Sequence, residues 1–171
     1  MHELAVTAIG ADRPGIVATV TRVLHERGGN VEDSAMTILG GHFAIVLLVK
    51  SDDSPEQLHA ALSDATAELG LTISVTRAEG PRSPVTPSHL LSVYGADHPG
   101  IVAGVSAAIA EVEANIIDLE TQVIGSETDP VYAMVVEVQA PDPAALADAV
   151  TAACTALGVD HTLRTIDAET Y

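Results

Sequence analysis

An internal repeat constrains this chain before anything else does. Gly10 to Ala18 reads G-A-D-R-P-G-I-V-A and Gly95 to Ala103 reads G-A-D-H-P-G-I-V-A, so only Arg13 and His98 differ. Two such words in 171 residues point to two like modules in series.

The residues around each word carry a second level of agreement. Glu3 to Ile9 alternates as a short strand. Pro14 suits the first turn of a helix, where a missing N–H costs nothing, so a helix is predicted to begin there with Ile16, Val17, Val20, Val23 and Leu24 on one face. Gly28-Gly29 stops it. Asn30 to Leu39 and His42 to Lys50 read as strands joined by a Gly40-Gly41 turn. Phe43 to Val49 is apolar at every position, which predicts a strand covered on both sides, one by helices and the other by a partner surface. Ser54-Pro55-Glu56-Gln57 opens a second helix whose stripe of Leu58, Ala61, Leu62, Ala65 and Leu69 runs to Gly70. Leu71 to Ala78 alternates as a fourth strand.

The pattern then restarts. Asn30 and Asp33 correspond to Asn115 and Asp118, and Leu58, Leu69 and Gly70 to Leu146, Leu157 and Gly158, with three residues inserted at a loop tip near Gly125 to Pro130. Residues 1–79 form the first module, 80–88 with Pro81, Pro84 and Pro87 a semi-rigid linker, 89–168 the second module and 169–171 a tail. Strand, helix, strand, strand, helix, strand with right-handed crossovers predicts α+β modules of the ferredoxin-like βαββαβ kind. Each is a four-stranded antiparallel sheet with two helices on one face.

Charge excludes several function classes. The formal charge is −17, from 24 acidic residues against seven Lys and Arg. It opposes direct contact with nucleic acid or anionic membrane, both of which need clustered cations. The first residues lack a signal-peptide pattern and no stretch is long enough to span a bilayer. One cysteine precludes an intrachain disulfide, and a cytoplasmic protein is expected. The seven His residues form no metal-ligand spacing and the glycine-rich word lacks the G-K-[ST] ending of a phosphate loop, so neither metal nor cofactor is expected.

The repeated turn has a chemistry suited to a small zwitterion. A helix start leaves N–H groups unpaired with a partial positive charge, and Gly15 and Gly100 admit close approach of a ligand. With Arg13 and His98 as poor caps, the amides of Gly15, Ile16 and Val17, and of Gly100, Ile101 and Val102, suit a carboxylate. Asp12 and Asp97 suit an ammonium, and Asn30 and Asn115 offer donor and acceptor together. The candidate binding residues are therefore Gly10, Ala11, Asp12, Arg13, Pro14, Gly15, Ile16, Val17 and Asn30, and Gly95, Ala96, Asp97, His98, Pro99, Gly100, Ile101, Val102 and Asn115. A structural alternative stands beside this: the Asp residues cap the helix or tie down the loop, Gly10 and Gly95 make a tight turn, and the Asn residues terminate the helix.

G-A-D-R-P-G-I-V-A-T-V-T-R (Gly10 to Arg22), G-N-V-E-D-S-A-M (Gly29 to Met36) and L-G-G-H-F (Leu39 to Phe43) together resemble the ACT-domain family, on the branch of tandem proteins like the glycine cleavage system repressors. The resemblance spans essentially the whole chain and is strongest in the first half. It implies a non-catalytic regulatory module that binds an amino acid at the same D-x-P-G loops, with Asp12 and Asp97 standing where several ligand-binding relatives carry Asn. The expectation is a cytoplasmic, non-enzymatic regulator that binds a small amino acid such as glycine. It would work as a homodimer and modulate a protein partner, with transcription affected only through that partner. The alternatives are a ligand-free assembly module and an accessory regulatory subunit of a metabolic enzyme.

Overall fold

The computed structural model describes residues 1–78, 85–126 and 129–166. Most of the linker expected over 80–88 and the tail expected over 169–171 lie outside the described residues. The chain divides into two compact units, Met1–Arg82 and Ser83–Tyr171.

In the first unit the order is β1 (His2–Ala11), α1 (Ile16–Glu26), β2 (Asn30–Leu39), β3 (His42–Ser51), α2 (Pro55–Ala65), a 3-10 turn at Ala67–Leu69 and β4 (Thr72–Arg77). The second unit repeats it with β5 (His89–Ala96), α3 (Ile101–Glu111), β6 (Asn115–Ser126), β7 (Asp129–Gln139), α4 (Pro143–Leu157) and β8 (Asp160–Thr165). The sheets run β2-β3-β1-β4 and β6-β7-β5-β8, every described pairing being antiparallel. This is the α+β ferredoxin-like arrangement expected in both halves.

Alternation sets the layers. Leu4, Val6 and Ala8 of β1 and Phe43, Ile45, Leu47 and Val49 of β3 are buried against Ile16, Val20, Val23 and Leu24 of α1 and Leu58 and Leu62 of α2. Leu91, Val93, Met134, Val136 and Val138 pack in the same way against Ile101, Val105, Ile109, Leu146, Val150 and Cys154. Burying such side chains contributes about 1.5–3 kcal/mol each. The only thiol of the chain, Cys154, is thus sealed in the second core at 0% exposure, and burial pushes its pKa up.

Four local expectations are corrected. Both first helices begin at Ile16 and Ile101, one residue beyond Gly15 and Gly100, whose φ angles of 93° and 102° place them in the left-handed region; Pro14 belongs to the preceding turn. Val17, at 39% exposure, lies off the buried stripe. The second helix stops at Ala65 rather than Gly70. There the buried Thr66 hydroxyl donates to the Leu62 carbonyl at 2.8 Å and the chain continues as the 3-10 turn. Cys154 stands at that position in α4, which runs on to Leu157 although Thr155 makes the same kind of bond to the Thr151 carbonyl at 2.7 Å. Finally, Leu4 pairs with Val49 but His89 with Val138, so four residues are added between β6 and β7 instead of the expected three. The addition lengthens the second hairpin by two pairs, Gly125 with Pro130 and Ser126 with Asp129, instead of making a loop. One residue is lost before α4.

Within the unit the β3 strand is covered on one side only. Its helix side is buried, but on the other side Val46 is 47% exposed and Ala44 and Leu48 are half-buried. The second cover implied by an unbroken apolar run is not supplied within the unit.

Candidate functional site

The repeated word forms the turn from the central strand into the first helix of each unit. Its glycines are required by the backbone. A Cβ on Gly10 would meet Leu71 Cδ2 at 2.7 Å and the Gly70 carbonyl at 3.2 Å, and one on Gly95 would meet Val159 Cγ1 at 2.9 Å and its Cα at 3.3 Å. Gly15 and Gly100 have open space around them and are needed instead for their positive φ. The residue between Asp and Pro reaches the end of the second helix. The Arg13 guanidinium donates to the Glu68 carbonyl at 3.4 Å, and His98 Nε2 lies 3.0 Å from the Leu157 carbonyl with Nδ1 3.1 Å from that of Pro99.

What remains of the word is polar and uncommitted. No side chain caps α1 or α3, so Asp12 and Asp97 do not serve as their caps. Helix geometry leaves the N–H groups of each first turn without intrahelical partners. Gly15 and Val17, and Gly100 and Val102, are exposed, while Ile16 and Ile101 anchor the turns in the cores at 2% exposure. The Asp12 amide donates to the Gly41 carbonyl at 2.8 Å, fixing the loop to the β2–β3 turn, yet the exposed carboxylates of Asp12 and Asp97 accept no hydrogen bond from the described residues. Each unit therefore presents open amides with a partial positive charge in the same turn as a carboxylate that has no hydrogen-bond partner among the described residues, an arrangement able to hold the two ends of a zwitterion.

Asn30 and Asn115 do not join these loops. Asn30 opens β2 opposite Lys50, itself opposite Glu3, while Asp12 follows the far end of β1. Nine residues of strand, about 30 Å at 3.3 Å each, separate the two levels. Asn115, opposite Gln139, sits likewise at the end of the second sheet remote from Asp97. Neither Asn has positive φ, so they do not terminate the helices in left-handed geometry; Gly28 does so in the first unit, and Glu113, at φ 56°, in the second.

One feature escaped sequence reasoning. An open depression of about 330 Å³ borders the second loop, lined by Tyr94, Gly95, Ala96, Pro130, Val131 and Asp160. Tyr94 and Asp160 stand opposite each other across the β5–β8 pairing, and only the strand register could have joined them. Among the described residues, no group of three or more His, Cys, Asp or Glu side chains gathers at metal-binding distance, and no helix is long and apolar enough to cross a membrane.

Comparison with known proteins adds the following. Residues 2–76 and 89–164 match the family model described as ACT domain. The chain is 37% identical over 108 residues to the glycine cleavage system transcriptional repressor of Escherichia coli (strain K12), a match covering 62% of this chain and 57% of that protein. The chain thus spans little more than half the length of that curated relative. A UPF0237 protein of Methanopyrus kandleri is 45% identical over 78 residues, 44% of this chain and 87% of its own. The crystal structure of an unknown protein from Galdieria sulphuraria superposes with a TM-score of 0.84 at 33% identity, covering 97% of this chain and 99% of that one.

Proposed function

The chain belongs to the ACT-domain family, with one such domain in each unit, and on that premise we propose that it is a non-enzymatic regulator that binds a small amino acid, glycine or a close relative, at the Asp12 and Asp97 loops. The observation that supports this reading is the pairing, in both units, of uncapped helix-start amides with an Asp carboxylate that the fold does not use. The ligand's carboxylate would lie on the amides of Gly15 to Val17 or Gly100 to Val102, and its ammonium against Asp12 or Asp97. Keeping the two ends apart relieves the repulsion between ligand carboxylate and Asp. Occupancy would be passed to a protein partner. With a net charge of −17, any effect on transcription would run through that partner and not through direct contact with DNA. The single, buried cysteine is in keeping with a reducing cytoplasm.

A thermal-shift series with the twenty amino acids tests the proposal. A cognate amino acid at a hundred times its dissociation constant adds about 2.7 kcal/mol to the stability of the unit that binds it. Asp12→Ala and Asp97→Ala are each expected to weaken that response, and the double variant to abolish it. Absence of any shift across the series would falsify the sensor reading. The uncovered side of β3 favours a second reading, an assembly module.

A further inference from the structure

The two sheets expose their helix-free faces with different chemistry. Residues opposite one another across an antiparallel pair share a face, and the registers place Thr7, Ile9, Ala35, Ala44, Val46 and Leu48 on the outer face of the first sheet. Its β4 edge contributes only Thr72, Ser74 and Thr76. Charge is confined to the end near Glu3, where Lys50 Nζ lies 2.7 Å from Glu32 Oε1 and Asp33 is adjacent. Superposing the ladders puts Glu120 where the first unit has Ala35, Glu137 in place of Leu48, Arg164 in place of Thr76 and Asp160 in place of Thr72. The same fold thus carries these charges at these positions in one unit and omits them in the other.

We infer that the outer face of the first sheet is a docking surface for the same face of a second copy of this chain, forming a two-fold, sheet-on-sheet dimer. Three observations select that occupant. First, β3 is apolar at every position from Phe43 to Val49, the pattern of a strand covered on both sides, and its outer residues are left open. Second, two chains of charge −17 repel over most approaches, and a face whose centre bears no charge is where they meet without opposing carboxylates. A basic partner would gain nothing here and would favour the acidic surfaces. Third, four strands spaced about 4.8 Å apart and six to ten residues long give roughly 400–600 Å² in projection. This is on the scale of the ~800 Å² of accessible surface that each partner buries in a standard interface.

Mass measurement in solution over a concentration series, by sedimentation or light scattering, tests this. The full chain is expected at twice its 17.6 kDa mass. Ala35→Glu with Leu48→Glu transfers the second unit's residues to the first. The double variant is expected to keep the wild-type far-UV spectrum while its dissociation constant rises about a hundredfold or more, as when unpaired charges are buried. Glu120→Ala with Glu137→Leu in the second unit is expected to leave the dimer intact. A wild-type mass other than two chains, an Ala35→Glu/Leu48→Glu variant that stays dimeric, or loss of the dimer on changing the second unit would each overturn the assignment. If the first double variant loses its spectrum, Val46→Lys, of opposite sign on the same face, decides in its place by the same criterion.

Discussion

The two units share topology, strand order and the repeated turn, yet they differ wherever the fold leaves a choice. The first holds its helix terminus with Gly28 and the second with Glu113; the first interrupts its second helix at Thr66 and the second continues through Cys154; the first leaves the centre of its outer sheet face uncharged and the second places carboxylates and an arginine on that face. Where they agree, at Gly10 and Gly95, Gly15 and Gly100, and Ile16 and Ile101, a backbone angle, a close contact or a core position demands it. Asp12 and Asp97 are identical too, without a described partner, and so are the exposed Val17 and Val102. The comparison therefore leaves a short set of shared residues that the described contacts do not account for, the two carboxylates among them.

The largest test of the comparison is whether the units rest on separate cores. Leu58→Ala and Leu146→Ala, at equivalent fully buried positions, are each expected to cost about 2–5 kcal/mol. Amide exchange should show the loss confined to the altered unit; a loss spread evenly over both would merge the two cores into one. Next in size, Gly10→Ala and Gly95→Ala each force an overlap, with an expected cost of about 1–3 kcal/mol. The second should be the costlier in denaturant titration. Leu71 can swing its Cδ2 away and leave the added atom against the Gly70 carbonyl oxygen at 3.2 Å, whereas Val159 is β-branched and crowds it with three carbons, Cγ1 at 2.9 Å and Cα and Cβ at 3.3 Å. A smaller effect of opposite sign is expected from Glu113→Gly. It relieves left-handed geometry and should stabilise the second unit by about 0.5–1 kcal/mol, whereas Gly28→Ala should destabilise the first by about as much.

The smallest expected difference is in pH response. The Ser54 hydroxyl donates to Glu56 at 2.7 Å and lowers its carboxyl below the usual range, while Glu32 raises the Lys50 ammonium. A depressed carboxyl stabilises the fold above its unfolded pKa, and that contribution disappears as pH falls through the folded value. A raised ammonium stabilises below its unfolded pKa and is lost as pH rises through the folded one. Both groups lie in the first unit and are exposed, so its melting temperature should fall slightly at acid pH relative to the second unit, whereas at alkaline pH the second unit also loses stability because its fold holds the Cys154 thiol protonated. Glu56→Gln should remove the acid limb of that difference.

Much of the fold was legible because apolar spacing reports which side of an element is buried, and Ser54 with Gln57 and Asp142 with Pro143 mark helix starts by hydrogen bonds made within a few residues. Long-range geometry was not. Pro14 suggested a helix start, but the left-handed angle that sets the true start belongs to Gly15. Thr66 looked like one more position on a continuing helix, and the apolar spacing around it carries no mark of the change to a 3-10 turn. Asn30 follows α1 closely in sequence, yet an 11-residue helix carries the chain back along the sheet before β2 begins, which removes it from the Asp12 loop. The contrast between the outer faces was written in the residues all along but required the strand registers to be read.

The sealed cysteine has a practical corollary. As the chain's sole thiol, fully enclosed and held protonated by its apolar surroundings, Cys154 reacts with an alkylating reagent only in molecules whose second core has opened. If the exchange test above finds the two cores separate, its labelling rate is a built-in clock for opening of the second unit alone. A ligand that slows the clock is bound to the second unit, and one that stabilises the protein without slowing it is bound to the first.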